Sequence, residues 1–191
     1  MTEFSESADR ALELSMDVLR PLIGGRLTKV LYKTLGDPVA DGSGQGGSIL
    51  AHGVDHAVIV STESATMVLE WCIRNYAEFL NIVANPEDGK TAIVDSIVDV
   101  TDSAPWRALR GLAISGFGLA RHTSEDGSQL PWALRMIFEN GASAVIALGE
   151  IDDATPSYQP DNLLVIFDPE MAQSFQILDA PDSAWGREVH L

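Results

Sequence analysis

The densest group of side chains able to bind a metal ion or move a proton is His52, Asp55 and His56. Two imidazoles and a carboxylate are suitable ligands for a divalent metal. The spacing does not favour a single ion, because an extended strand would separate residues 52 and 56 by about 13 Å. Gly53 and the apolar residues after it argue against a helix, in which the spacing would fit. We therefore interpret the histidines as a surface pair and predict no metal site.

A second group, His122 with Glu125 and Asp126, lies in the polar segment 121–129. An imidazole there has the chemistry of a general base. The segment offers no serine, cysteine or lysine in a setting typical of a nucleophile. The pattern favours a solvated loop, and we assign no catalytic residue.

Trp106 and Trp132 each follow a proline and are the aromatic residues best placed to line a cleft or an interface. Aromatic residues in a β-rich chain are most often core, so we expect Trp106 to plug one end of the sheets. A ligand pocket beside these tryptophans is the alternative. The candidate binding residues are therefore His52, Asp55, His56, His122, Trp106 and Trp132.

Two further features resemble functional motifs without their context. Cys72 is the only cysteine and lies in an apolar run, which excludes an intramolecular disulfide and favours a buried, inert thiol. The glycine-rich segment 42–47 lacks the Gly-Lys-Ser/Thr ending of a phosphate-binding loop. We interpret it as part of a loop over residues 36–47 and predict no cofactor.

The charge is strongly acidic, with 28 acidic against 12 basic side chains and a formal net charge of −16. Such a balance repels nucleic acid and anionic membranes and attracts basic partners. The simplest alternative is that the charge serves solubility alone. The chain has no apolar stretch near the ~20 residues of a membrane span, and residues 1–6 do not have the pattern of a signal peptide. We expect a cytoplasmic protein.

Two classes of function remain open. The first is a protein-binding module with a basic partner, immunity- or inhibitor-like, because small acidic bacterial proteins that neutralise toxins are similar in charge and size, although no motif aligns. The second is a small-molecule or metal-binding enzyme that uses a cleft between two halves of the chain. The missing catalytic motif favours the first class, and a homo-oligomer formed through edge strands is a third alternative.

Apolar residues alternating with polar ones predict an α+β fold, mostly antiparallel β, with sandwich or barrel-like sheets. A helix from residue 8 ends near Pro21, and short helices follow Asp102-Ser103 and Asp168. Strands are expected from residue 26 and at 54–61, 67–73, 79–83, 91–100, 112–120, 132–138, 143–148 and 163–167.

One strand unit recurs along the chain. Gly24 and Gly111 each follow a helical signal and precede a strand, and the turns at Glu63 and Asn140 each join two strands. A left-handed glycine that ends a helix explains the first pair. We predict a single domain of two packed half-units, 8–100 and 103–178, with a loosely ordered tail at 179–191. Chance similarity of short strands is the alternative to duplication.

Overall fold

The computed structural model describes residues 17–34, 51–74, 77–84, 96–124, 127–152, 155–175 and 189–190. The predicted loop at 36–47, most of the predicted N-terminal helix and most of the predicted tail lie outside these residues. The predicted strand 91–100 is described only from Ser96 onwards.

Thirteen strands and three short helical segments make up the described part of the chain. In chain order the strands are β1 (Leu27–Thr34), β2 (Ala51–Val54), β3 (Ala57–Thr62), β4 (Thr66–Arg74), β5 (Ala77–Ala84), β6 (Ser96–Asp99), β7 (Ile114–Thr123), β8 (Gln129–Phe138), β9 (Ser143–Leu148), β10 (Glu150–Asp152), β11 (Thr155–Ser157), β12 (Leu163–Ile166) and β13 (Val189–His190). The helical segments are residues 17–19 continued by a 3-10 turn at Arg20–Leu22, then α1 (Ala104–Leu109) and α2 (Pro169–Ser174).

The strands form two large antiparallel sheets that pack as a sandwich, and neither closes into a barrel. The first sheet has the order β5-β4-β3-β1-β6, and the second has the order β13-β7-β8-β9-β12-β2. A small hairpin, β10-β11, stands apart. The predicted mostly antiparallel α+β fold is confirmed, and of the two predicted architectures the sandwich is the one present.

A single apolar core joins the sheets and draws buried residues from both. Strand β9 is buried at every position from Ala144 to Leu148, and β12 at all four. Successive side chains of a strand point to opposite faces, so the centre of the second sheet is covered on both sides. That burial explains why these two strands are continuous apolar runs without polar alternation.

The two sheets share more than a strand order. In the first sheet β1 pairs with β3, and in the second β7 pairs with β8. Both pairs contain a bulge at the same position and have the same register after it. The matching pairs are Leu27 opposite Thr62 with Ile114 opposite Phe138, Val30 opposite Val60 with Phe117 opposite Met136, and Tyr32 opposite Val58 with Leu119 opposite Leu134. We call residues 17–34 with β3–β6 the first unit, and α1 with β7–β9, β12 and β13 the second unit.

The units meet through a reciprocal set of backbone hydrogen bonds around an isolated bridge between Arg26 and Ala113. The set contains four backbone hydrogen bonds, two in each direction. Gly24 N–H donates to Ile114 C=O and Leu27 N–H to Leu112 C=O, while Gly111 N–H donates to Leu27 C=O and Ile114 N–H to Gly25 C=O. This exchange has the pattern of a two-fold interface.

The glycines at this junction adopt the predicted left-handed conformation, with φ of 81° at Gly24 and 80° at Gly111. The second landmark differs by one residue. Glu63 N–H donates to Arg26 C=O and Glu139 N–H to Ala113 C=O, so Glu63 corresponds to Glu139 rather than to Asn140. The turn at Glu139 is one residue longer than the turn at Glu63, so the corresponding positions after it are one residue further apart in the sequence. Duplication as the origin of the two units stays a prediction.

Several predicted boundaries are wrong in detail. The strand predicted over 54–61 is two strands in different sheets, because the chain turns at Asp55-His56 and crosses from the second sheet to the first. Ser103 precedes α1 but makes no capping hydrogen bond, whereas Asp168 caps α2 by accepting from Met171 N–H. The chain segment at Val189–His190, within the predicted tail, pairs with β7. In the part of the chain described, no helix is long and apolar enough to cross a membrane.

Candidate functional site

The most distinctive chemistry is a hydrogen-bonded group of three buried side chains from three elements. Tyr32 comes from β1, His52 from β2 and Trp106 from α1. Trp106 and Tyr32 are 0% and 1% exposed, and His52 is 3% exposed. We call these residues the buried polar trio.

The direction of each hydrogen bond in the trio follows from the donors available. An indole N–H can only donate, so Trp106 Nε1 donates to the Tyr32 hydroxyl over 2.6 Å. The Tyr32 hydroxyl then donates to His52 Nδ1, 2.8 Å away. Since Nδ1 accepts, a neutral His52 carries its proton on Nε2, and that buried nitrogen has no hydrogen-bond partner among the described residues.

The surroundings of the trio are aromatic and apolar. The Phe167 ring meets His52 and Trp106 edge to face, with centroids 5.1 and 4.9 Å away. Burial lowers the pKa of His52 to about 4, because the imidazolium would lose its hydration. Burial likewise raises the pKa of Tyr32 above its ordinary value, although the hydrogen bond from Trp106 acts in the opposite direction. Both groups are therefore neutral at pH 7.

The trio joins Tyr32 of the first unit to Trp106 of the second, and the equivalent positions with the units exchanged hold no such group. Tyr32 corresponds to Leu119 by strand register. The sequence offset between these two residues also relates the helical segments that precede the two strands, so Trp106 corresponds to Leu19. Both leucines are fully buried. Strand β2, which supplies His52, has no counterpart in the second unit, where β7 runs into β8 through a short connection.

Asp55 and His56 lie in the turn after β2 and do not join His52 in a common site. Trp71 Nε1 donates to the Asp55 carbonyl over 2.9 Å, and the His56 and Trp71 rings meet edge to face at 6.5 Å. The prediction that His52 and His56 form a surface pair is wrong for His52, because β2 turns its side chain into the core.

His52 is also unsuitable as a metal ligand in this arrangement. A neutral imidazole has a single ring lone pair, which in the tautomer assigned above lies on Nδ1 and accepts the hydrogen bond from Tyr32, while Nε2 carries the proton. Among the described residues, no group of three or more histidine, cysteine, aspartate or glutamate side chains could hold a metal ion.

His122 lies on β7 and is partly buried, so the predicted solvated loop is wrong at this residue. Its Nε2 is 3.4 Å from the carbonyl of Glu78, on β5 of the first unit. Burial, and then the charge of Glu78, raise the pKa of Tyr158 to about 12. His122 and Glu78 thus meet where the edge strand β5 of the first sheet contacts the second sheet, whereas Glu125 and Asp126 lie outside the described residues.

Trp132 is fully buried and packs edge to face on Phe175, with ring centroids 5.4 Å apart. It sits where the pairing of β7 with β8 shifts register, so the extra residue of a bulge carries this large ring. Trp132 is separate from the trio, and of the six predicted site residues only His52 and Trp106 come together.

Sequence reasoning missed Tyr32, the residue that connects the other two members of the trio. Within 27–34 it has the spacing of an ordinary core residue of a strand. The available signal was the comparison of repeats, which places a hydroxyl-bearing side chain where the second unit has leucine.

No family model, no curated protein and no solved structure matches this chain, so its function has to be argued from its own residues.

Proposed function

We propose that this protein is a protein-binding module, immunity- or inhibitor-like, whose partner is a basic protein. The observation that supports it most directly is the pairing of exposed charges. Of the five exposed cationic side chains in the described part of the chain, four lie within 4.0 Å of a carboxylate. They are Arg20, Arg26, Lys29 and Arg110.

This pairing leaves the acidic excess without a compensating basic patch on the described surface. Glu63 and Asp161 are exposed, and neither forms an ion pair with another described residue. The comparison of units explains Glu63: its counterpart Glu139 pairs with Arg26 at 3.0 Å, whereas the residue corresponding to Arg26 is Ala113. A net charge of −16 then attracts a basic protein at long range and raises the association rate.

The test begins with capture by the immobilised full chain at about 50 mM salt, followed by elution with rising salt. An unrelated protein of similar size and net charge serves as the control bait, because any acidic surface retains basic proteins weakly. The captured protein is then purified and its binding measured directly. We expect one basic protein that binds this chain at least about tenfold more tightly than the control. Equal retention by both baits would contradict the proposal.

A small-molecule binder or enzyme working between the two units is the second candidate. It is supported by the contact of His122 with Glu78 across the units and by the hydrogen bond of the trio from Trp106 to Tyr32, which also crosses the units. Native mass spectrometry of the protein as purified, with its metal content measured in parallel, tests this function. A non-covalent ligand lost from His122→Ala but kept in His56→Ala would support it. A bare chain with no change in melting temperature in either variant would argue against it.

A homo-oligomer formed through edge strands stays a prediction. Light scattering at high protein concentration tests it, and a monomer under those conditions would contradict it.

A further inference from the structure

Strand β2 is a short strand at one edge of the second sheet. It has four residues, and within the sheet it pairs only with β12, from Ala51 opposite Ile166 to Val54 opposite Leu163. Local opening of a short edge element costs less free energy than global unfolding. His52, which pairs with Val165 in the sheet, also links β2 to the first sheet, because its side chain accepts a hydrogen bond from Tyr32.

This hydrogen bond requires a neutral His52. A second proton would sit on Nδ1 and face the Tyr32 oxygen, which already accepts from Trp106 Nε1. The Tyr32 hydroxyl would then have to turn its own hydrogen elsewhere, and the surrounding rings offer no strong acceptor. The imidazolium would also be buried against Phe167 and Trp106 without a counter-charge.

The side chains that face His52 do not change their own charge between pH 7 and pH 4. Tyr32 is the titratable group that β1 presents to it, and it stays neutral at acidic pH. From α1 the facing side chain is Trp106, while Arg107 is exposed and Arg110 pairs with Asp102. Beyond β12 the facing side chain is Phe167, and the Asp168 carboxylate accepts from Met171 N–H. Strand β10 also packs against β2 and carries the acidic residues Glu150 and Asp152. Burial alone shifts the His52 pKa, and no carboxylate or cation of the described residues contributes.

We propose that β2 is an acid-released strand, in which protonation of His52 breaks the buried polar trio, detaches Ala51–Val54 from β12 and leaves β12 as the sheet edge. Release moves the imidazolium into water, where its protonation is no longer penalised. The second sheet keeps its other five strands, including the fully buried β9 and the pairing of β12 with β9. The uncovered edge of β12 is an apolar strand with unpaired backbone groups, which is the kind of edge that accepts another strand.

The size of the effect follows from the difference in the His52 pKa between the released and the paired strand. His52 has an ordinary pKa of 6.5 when solvated and a pKa of about 4 in the fold. The opening equilibrium constant of β2 should therefore rise about tenfold per pH unit between these values, and about 300-fold in total.

Hydrogen exchange of the full chain, corrected for intrinsic exchange rates and read by mass spectrometry from pH 7 to pH 4, tests the proposal. Below about pH 6.5, peptides that cover Ala51–Val54 should lose protection about tenfold per pH unit. Peptides from β9 exchange through global unfolding, so at every pH their opening should cost more free energy and depend more steeply on added urea than the opening of β2. Equal opening free energies and equal urea dependences in β2 and β9 would mean that β2 opens only by global unfolding and would overturn the proposal, as would a β2 protection that does not change with pH.

Variants assign the pH response to His52. His52→Gln should remove it, whereas His56→Gln, in the adjacent turn, should leave it intact. Tyr32→Phe provides a second route should His52→Gln fail to fold, since it deletes the donor that favours neutral Nδ1 and should move the release to higher pH. A response that persists in His52→Gln, or a Tyr32→Phe midpoint that does not move, would overturn the proposal.

Discussion

The two units have the same strand order and register, yet they fill equivalent core positions with different chemistry. Trp106 of the second unit bonds to Tyr32 of the first, whereas the equivalent positions with the units exchanged hold Leu19 of the first unit and Leu119 of the second. The leucines demonstrate that the fold itself does not need hydroxyl or indole groups at these positions. A buried polar group is costly unless its partners are present, so the trio calls for an explanation beyond packing.

The difference coincides with β2, a strand that has no counterpart in the second unit. Strand β2 belongs to the second sheet, and its His52 accepts a hydrogen bond from Tyr32 of the first sheet. The polar chemistry therefore lies where the chain departs from its own symmetry. Equivalent positions test this comparison directly, because each variant in one unit has a matched control in the other.

The largest expected effect comes from truncating the matched pair Trp106 and Leu19. Trp106→Ala should lower the free energy of unfolding by about 3–5 kcal/mol and Leu19→Ala by about 2–5 kcal/mol, from lost burial and the cavity left behind. Trp106→Ala should exceed Leu19→Ala by at least about 1 kcal/mol, because it also removes the donor to Tyr32. Urea denaturation followed by far-ultraviolet circular dichroism measures both. Equal losses would mean that the indole hydrogen bond contributes nothing.

The second effect is a pH dependence that originates at His52 on β2. His52 has a folded pKa of about 4 against 6.5 when solvated, so its contribution to stability is complete above pH 6.5 and is lost as the pH falls toward 4. The free energy of unfolding should fall by up to about 3 kcal/mol over this range, since each pKa unit corresponds to about 1.4 kcal/mol. The check is urea denaturation at a series of pH values. His52→Gln should show a flatter profile than His56→Gln, and identical profiles would contradict the assignment.

The architecture was largely predictable because it depends on local patterns. Alternating apolar residues predict strands whatever their partners, and Gly24 and Gly111 have the positive φ that their positions between helix and strand predict. The bounds of β9 were predicted without error, since a continuous apolar run bounded by turn residues has few alternative readings.

The site was much less predictable because its members are far apart in the sequence. Tyr32 and Trp106 are 74 residues apart, and Tyr32 and His52 are 20 apart. His52, flanked by Gly53 and near Asp55, has the local pattern of an exposed residue. Its burial depends on the pairing of β2 with β12, a contact between distant segments that no local pattern encodes.

The glycines at the junction should respond equally if the two units are structurally equivalent. A Cβ at Gly24 or Gly111 would meet no atom within 4 Å, so only the backbone at φ near +80° resists substitution. Gly24→Ala and Gly111→Ala should each cost about 1–2 kcal/mol. Gly53→Ala is the matched control, because it has open space and no positive φ, and it should be neutral or slightly stabilising. Unequal losses in urea denaturation would show that the junction tolerates change on one side only.

The smallest effect concerns the bulge that both units share. Thr28 Oγ1 donates to the Ser61 carbonyl over 3.0 Å, and Ser115 Oγ donates to the Ile137 carbonyl over 3.1 Å. Both hydroxyls are exposed and compete with water, so Thr28→Val and Ser115→Ala should each cost only about 0.5 kcal/mol. Thermal denaturation of the two variants beside the unmodified chain measures the losses. Equal small losses would mean that the hydroxyl belongs to the bulge itself, whereas a loss in only one unit would mean that the symmetry of the junction ends before the bulge.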